Sequence, residues 1–201
     1  MTSSGVVSRQ RVILITKEVF RKSIHLCSCI VPFLMEKSYY LVLVLLSLAL
    51  AFYSFCEYLR LKGKVVPLIS AVTAAASRKR DENRFVLGPV TLCAGIITAS
   101  VLFELPYARI GIFALAFGDG IASLAGKLFG KVHLPLTQGK TAAGSLSCFA
   151  AIFISCYLCC KNCSASLIIA SAGMFIELLP LKDLDNIFIP VLLSLLAKII
   201  L

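Results

Sequence analysis

The sequence predicts an all-α, polytopic integral membrane protein of about seven transmembrane helices with a cytoplasmic N-terminus. Three observations carry that expectation. Of 201 residues, 59% are hydrophobic and only 15% are charged, where a soluble domain of this size has about 25% charged residues. Apolar stretches close to the roughly 20 residues that cross a hydrocarbon core about 30 Å thick recur along the chain. The 20 Lys and Arg outnumber the 10 Asp and Glu, for a net charge of +10, and they fall in short clusters between the apolar stretches. They build no solvated basic face, which argues against a nucleic-acid partner and for the lipid bilayer.

Residues 1–22 read as a cytoplasmic amphipathic entry segment and residues 23–201 as one transmembrane catalytic domain. The run Val12 to Ile15 is too short for a signal-peptide core and no small-residue cleavage site follows it, so the apolar run after Arg21 and Lys22 is expected to stay as a membrane span. The expected spans are Ser23 to Met35, Tyr39 to Leu59, Phe85 to Phe103, Ala108 to Leu128, Ala142 to Cys160, Ala165 to Leu179 and Ile187 to Leu201. Leu105-Pro106 turns the chain between the third and fourth, and Pro180 closes the sixth, because proline disfavours helical geometry in the residue before it. With the N-terminus inside, only Lys37, Arg109, Lys161 and Lys198 fall outside. The other 16 Lys and Arg, among them Arg9, Arg11, Arg78, Lys79 and Arg80, fall inside, as the positive-inside rule requires. The loop after the fourth span and the acidic turn after the sixth then share the cytoplasmic face, and an active site built from them faces the cytoplasm.

Asp119 lies within the fourth apolar run, between Gly118 and Gly120. A carboxylate at the centre of a span costs about 2.5–3.5 kcal/mol on insertion scales and is kept for an ion, a proton or a partner. Flanking glycines weaken the helix and let a ligand approach its backbone, so the reading is ligation of a metal-bound phosphate; the alternative is a bond to a neighbouring helix. The next loop carries Gly126-Lys127, Gly130-Lys131 and Gly139-Lys140-Thr141, followed by Gly144-Ser145. It is no Walker A loop, since Leu134 stands where the first glycine belongs and no strand precedes it. Gly-Lys-Thr opening a helix still offers backbone N–H groups, a positive dipole end and a lysine to a polyphosphate.

Glu177 lies near the inner end of the sixth span, and Asp185-Asn186 opens the seventh. Hard oxygen ligands of this kind suit Mg²⁺, which takes one or two protein carboxylates and completes its shell from water and phosphate. A helix cap is the competing role, and it is the expected one for Asp183. Glu18, Arg21, Lys22 and His25 line one helical face. That face suits lipid headgroups, but His25, about a turn deeper, would also serve as a base on a lipid hydroxyl or bond a phosphate. Glu57-Tyr58-Leu59-Arg60 repeats the pattern at the end of the second span, with a local ion pair as an equal alternative. The nine cysteines include two adjacent Cys-x2-Cys sets, Cys156 to Cys159 and Cys160 to Cys163. On one continuous helix these cannot converge on an ion, so they are expected to pack as small apolar residues.

Taken in order, Glu18-x2-Arg21-Lys22-x2-His25, Gly118-Asp119-x2-Ala122-x3-Gly126-x3-Gly130-Lys131, Gly139-Lys140-Thr141-x2-Gly144-Ser145 and Glu177-x7-Asp185-Asn186-x3-Pro190 resemble the CTP-dependent lipid kinases, the family of dolichol, phytol and diacylglycerol kinases. The resemblance implies transfer of the γ-phosphoryl group of CTP to the hydroxyl of a membrane lipid alcohol with Mg²⁺. It would give Asp119, Asp185 and Asn186 to the metal, Arg21, Lys22, Lys127, Lys131, Lys140, Thr141, Ser145 and the glycines to the nucleotide, and His25 or Glu177 to the base. The central segment also resembles phosphatidate cytidylyltransferase, although the ending Leu184 to Pro190 departs from that enzyme's Asp- and Lys-rich close. A small transporter would share the broken helix and buried carboxylate, but such folds often carry internal repeats, and this sequence shows none.

Overall fold

In the computed structural model, residues 3–201 are described except 65, 68, 70–72, 74–76, 78–80, 82, 83, 136 and 138, with side chains from residue 15 onward. Of the cationic residues assigned to the inner face, Arg78, Lys79 and Arg80 and the side chains of Arg9 and Arg11 lie outside the described residues. The described chain is all-helical apart from one isolated β-bridge, His133 to Thr141. Its helices are α1 (Ser3–Cys27), α2 (Val31–Leu61), α3 (Gly88–Leu102), α4 (Leu105–Phe113), α5 (Gly120–Phe129), α6 (Ala142–Cys160), α7 (Cys163–Leu178) and α8 (Asp185–Ile200). A 3-10 turn, Ser28–Ile30, joins α1 to α2, and a π-helical turn, Ala114–Asp119, joins α4 to α5. The segments Ile15–Leu61, Leu105–Phe129 and Ala142–Cys160 are long and apolar enough to cross a membrane; Gly88–Leu102 and Cys163–Leu178 are apolar but shorter.

The ends follow from local chemistry. Pro32, Pro89 and Pro106 each stand in the first turn of a helix, where a missing N–H costs nothing. The α7 helix stops before Pro180, with Leu179 held extended (φ −67°, ψ 143°). Thr141 and Asn162 cap α6 and α7 by accepting the N–H groups of Gly144 (3.2 Å) and Ala165 (3.0 Å). At α8 the cap position belongs to Leu184, with no side-chain cap bond, so Asp183 is not the cap the sequence led us to expect.

The α2 helix breaks at Ser38 (φ −155°, ψ 81°), and the two arms have different partners. The arm before the break, together with α1 across the 3-10 turn, runs antiparallel to the α4–α5 rod. Glu18 meets Lys127, Lys22 meets Asp119, Phe33 meets Phe113 with ring centroids 5.7 Å apart, and Glu36 pairs with Arg109. The arm after the break runs antiparallel to α3: the Tyr39 hydroxyl donates to Ser100 O (2.5 Å) and the Val86 N–H donates to Glu57 Oε1 (2.8 Å). Glu57 is fully buried and bidentate with Arg60 (2.7 and 2.8 Å), the local ion pair foreseen as one alternative.

Ile112, Leu115, Ile152, Ile169, Ile189 and Leu193 form the fully buried centre, where α8 packs between α3, α4 and α7. Pro190 has no N–H to give the Asn186 carbonyl, and the bare Cα of Gly95 packs against that carbonyl. A methyl group on Gly95 would overlap the Asn186 oxygen, a backbone atom that cannot rotate away. Gly95→Ala is therefore expected to force α3 and α8 apart and to cost about 1–3 kcal/mol, read as a lowered melting temperature in detergent. An unchanged melting temperature would mean that the two helices do not meet here.

Candidate active site

The C-terminal turns of α1, the end of the π-helical turn, α5 and the N-terminal ends of α6 and α8 bring their polar and charged residues together at one junction. Lys22 Nζ donates to Asp119 Oδ2 at 2.5 Å, and His25 Nδ1 lies 3.2 Å from the same oxygen. Lys22, His25 and Asp119 are 2%, 5% and 8% exposed, so the pair is out of water and each charge depends on the other. The π-helical turn ends on Asp119; such turns re-aim a helix face and are frequent at functional sites. Glu18, 3% exposed, bonds Arg21, Ser123 and Lys127. The face read from sequence as suited to headgroups is thus turned inward, onto α5.

Two cavities meet at this junction. A cleft of about 480 Å³ runs along α5 towards the 132–142 loop. It is lined by Lys22, Asp119, Gly126, Lys127, Gly130, Gly139, Lys140, Thr141, Gly144, Ser145, Glu177 and Asp185 among the residues singled out from sequence, and by Ser123, His133, Thr137 and Lys182, which were not. A smaller chamber, about 40 Å³, is lined by Arg21, Lys22, His25, Asp81, Asp119, Asp183, Asp185 and Asn186 together with Ile24, Val86, Gly88, Pro89 and Leu92. Lys22, Asp119 and Asp185 belong to both walls.

The predicted residues separate into distinct roles. Lys140 pairs with Glu177 Oε1 at 3.0 Å across the cleft mouth. Ser145 is 6% exposed and its Oγ has no partner among the described residues, leaving a hydroxyl for a ligand on the cleft wall. Gly126, Gly130 and Gly144 line the cleft but also let α5 and α6 touch: a methyl on Gly144 would stand 2.9 Å from Ala122 O, and one on Gly130 would stand 2.5 Å from Thr141 Oγ1. Because Thr141 Oγ1 already accepts the Gly144 N–H, that donor is occupied. Gly118 faces Ile152 of α6 and lines neither cavity. Lys131 is exposed beyond the end of α5 and also lines neither, whereas Lys127, one turn earlier, lines the cleft. Gly139 turns the loop with φ +94°, and Leu134 N–H to Lys140 O (2.9 Å) and Ala142 N–H to Val132 O (3.0 Å) close it into a hairpin that carries His133 and Thr137 to the cleft.

Asn186 donates through Nδ2 to Thr91 Oγ1 (3.0 Å) and Gly88 O (3.3 Å), tying α8 to the first turn of α3. Asp185, just before the apolar run of α8, is pushed up to about 6 by burial and by the Asp119 carboxylate, against the opposing pull of Lys22 and Lys140. A site with two carboxylates under mutual repulsion matches a hard divalent cation, for which one or two protein carboxylates suffice. Among the described residues no group of three His, Cys, Asp or Glu converges as a ready metal cage. The nine cysteines are free thiols; Cys148 and Cys156 pack in the core, and Cys156 Sγ lies 4.0 Å from Cys160 Sγ.

This geometry defines a class: a helical protein of membrane-spanning composition with a cationic cleft and a buried Lys-Asp pair between two cavities. Parts of the chain are similar to curated lipid kinases. The chain is 23% identical over 148 residues to probable phytol kinase 1, chloroplastic, of Oryza sativa, covering 65% of this chain and 47% of the relative. It is 32% identical over 89 residues to CTP-dependent diacylglycerol kinase 1 of Eremothecium gossypii (44% and 28%) and 28% identical over 159 residues to dolichol kinase of Saccharomyces cerevisiae (72% and 29%). These similarities support the CTP-dependent lipid kinase family and a lipid kinase as the type of enzyme. The matches span under half the length of those relatives. No family model and no solved structure matches the chain.

Proposed function

We propose that the protein is a multi-pass membrane kinase that transfers the γ-phosphoryl group of CTP to the hydroxyl of a membrane lipid alcohol, with Mg²⁺, at the cytoplasmic face. The observation that carries this reading is the Lys22–Asp119 pair, which stands at the meeting point of a cationic cleft and a second, less polar chamber. In this reading residues 1–22 are the entry segment, residues 23–201 are the catalytic domain and the chain crosses the membrane about seven times.

Phosphoryl transfer asks a protein for positioning and charge compensation more than for covalent chemistry. Lys127, Lys140 and Lys182 supply positive charge along the cleft for the triphosphate, and Thr141 and Ser145 offer hydroxyls. Asp119 and Asp185, with Asn186 beside them, are the residues that would hold Mg²⁺; a bound Mg²⁺ neutralises charge on the phosphate oxygens. Lys22 keeps Asp119 fixed and adds a cation at the transfer point. The acceptor oxygen forms its bond to the γ-phosphorus as the bond to the β,γ-bridging oxygen breaks. CDP leaves with that electron pair, and the hydroxyl proton passes to His25 or Glu177.

CTP binding to the purified protein with Mg²⁺ tests the cleft. Lys127→Ala and Lys140→Ala are each expected to weaken binding by about tenfold or more, the size of a lost charge-assisted hydrogen bond. Lys131→Ala, off the cleft wall, is expected to stay within about twofold by the same reasoning. The reverse ranking would move the nucleotide out of this cleft.

A further inference from the structure

We infer that the buried Glu57–Arg60 pair is a positioning device for the junction: through the backbone ahead of α3, and then through Thr91, it sets where Asn186 and the Asp185 carboxylate stand. This rests on the kinase reading for the work that Asp185 does, and deepens it with two residues that line neither cavity.

The local structure needs such a device. Both α3 and α8 begin without a side-chain cap bond, on Leu87 and Leu184, so nothing at the cap position anchors their first turns. The chain ahead of α3, residues 85–87, has no regular structure to take up its peptide groups. Glu57 and Arg60 take them up. Glu57 Oε1 accepts the Val86 N–H at 2.8 Å, while Arg60, bidentate on Glu57, also donates through Nη2 to Arg84 O at 2.8 Å. One fully buried carboxylate and its guanidinium thereby fix two successive peptide groups.

From there each step to the junction is a hydrogen bond. Asn186, 4% exposed, donates through Nδ2 to Gly88 O (3.3 Å) and Thr91 Oγ1 (3.0 Å) in the first turn of α3. Its backbone N–H donates to Asp185 Oδ1 at 2.9 Å. The residue that ties α8 to α3 therefore also orients Asp185, which lines both the cleft and the chamber. A buried ion pair adds little stability over an apolar pair of similar volume, and its best-attested use is to fix register. Here the register is that of α3 against α8, at the end of α8 that carries the carboxylate.

Hydrogen exchange on the full-length, metal-free protein in detergent reads this tether without turnover. Arg60→Lys keeps the charge and loses the second arm of the guanidinium. It is expected to speed exchange at least fivefold at 85–87 and at 186–188, with Ala142–Cys160 unchanged. Thr91→Val cuts the path beyond the entry to α3, and is expected to speed exchange at 186–188 alone. Activity gives the second readout: each variant is expected to lower kcat about tenfold, as a small misplacement of a reacting group does. The Kd for CTP, measured without metal, is expected to stay within twofold, because Lys127 and Lys140 are untouched. The double variant is expected to lose no more than the worse single one, where independent defects would multiply to about a hundredfold. Unmoved exchange at 186–188 in Arg60→Lys, or defects that multiply, overturns the assignment. If the wild-type protein transfers no phosphate, the kinase reading falls, while the exchange pattern still judges the tether.

Discussion

Asp119→Asn is expected to lower CTP-dependent lipid phosphorylation on the order of 10³-fold, the scale on which preorganised charge at a transfer point acts, per molecule of protein that inserts and folds, and to lower the melting temperature as well because Lys22 keeps its charge without a counter-charge. Asp119 is 8% exposed, accepts from Lys22 and faces His25 through the same oxygen. Asparagine keeps the volume and one oxygen for Lys22 but removes the negative charge, so a cation loses its ligand and Lys22 loses its electrostatic anchor. Initial rates in proteoliposomes, normalised to inserted protein, give the answer. Turnover at the wild-type rate would take Asp119 out of the mechanism.

Lys22→Met should act on the fold as well as on the reaction. Removing one partner of a buried ion pair leaves the other uncompensated, at a cost of about 3–5 kcal/mol, and Lys22 is the cation bonded directly to Asp119. The expected result is a large fall in melting temperature together with loss of activity. Combining Lys22→Met with Asp119→Asn removes both charges and is expected to recover most of the stability but none of the activity, a coupling that a mutant cycle measures. Single and double variants that melt like the wild type would mean that the pair is not buried as described.

Much of the fold was legible because its punctuation is local. Pro106 and Pro180 mark the ends of helices wherever they fall in the fold, and the helix Ala142–Cys160 has the bounds its apolar run and Thr141 cap imply. Asp119 was conspicuous because a carboxylate in an apolar run is costly in any lipid-facing arrangement. What sequence could not supply was the partner across a helix interface. Periodicity put Glu18, Lys22 and His25 on one face but did not say whether that face meets lipid or α5. The glycines have the same ambiguity: Gly126 and Gly144 look alike as phosphate-approach or packing residues until the fold sets one against the other. Lys127 and Lys131 are one turn apart, and only the end of α5 at Phe129 separates the one on the cleft from the one in the open. His133 and Thr137 sit in a loop without periodic pattern. Their only signal was the spacing between Gly130-Lys131 and Gly139-Lys140, which is long enough for a hairpin turning on Gly139.

The most direct measurement follows the label. The purified protein is incubated with Mg²⁺, a panel of lipid alcohols and phosphatidate, using γ-labelled CTP in one set and α-labelled CTP in the other. Phosphoryl transfer at the Lys22–Asp119 junction puts the γ-label, and none of the α-label, on the lipid alcohol, with CDP as the other product. The α-label on lipid with release of pyrophosphate would contradict it and assign cytidylyl transfer to the same cleft.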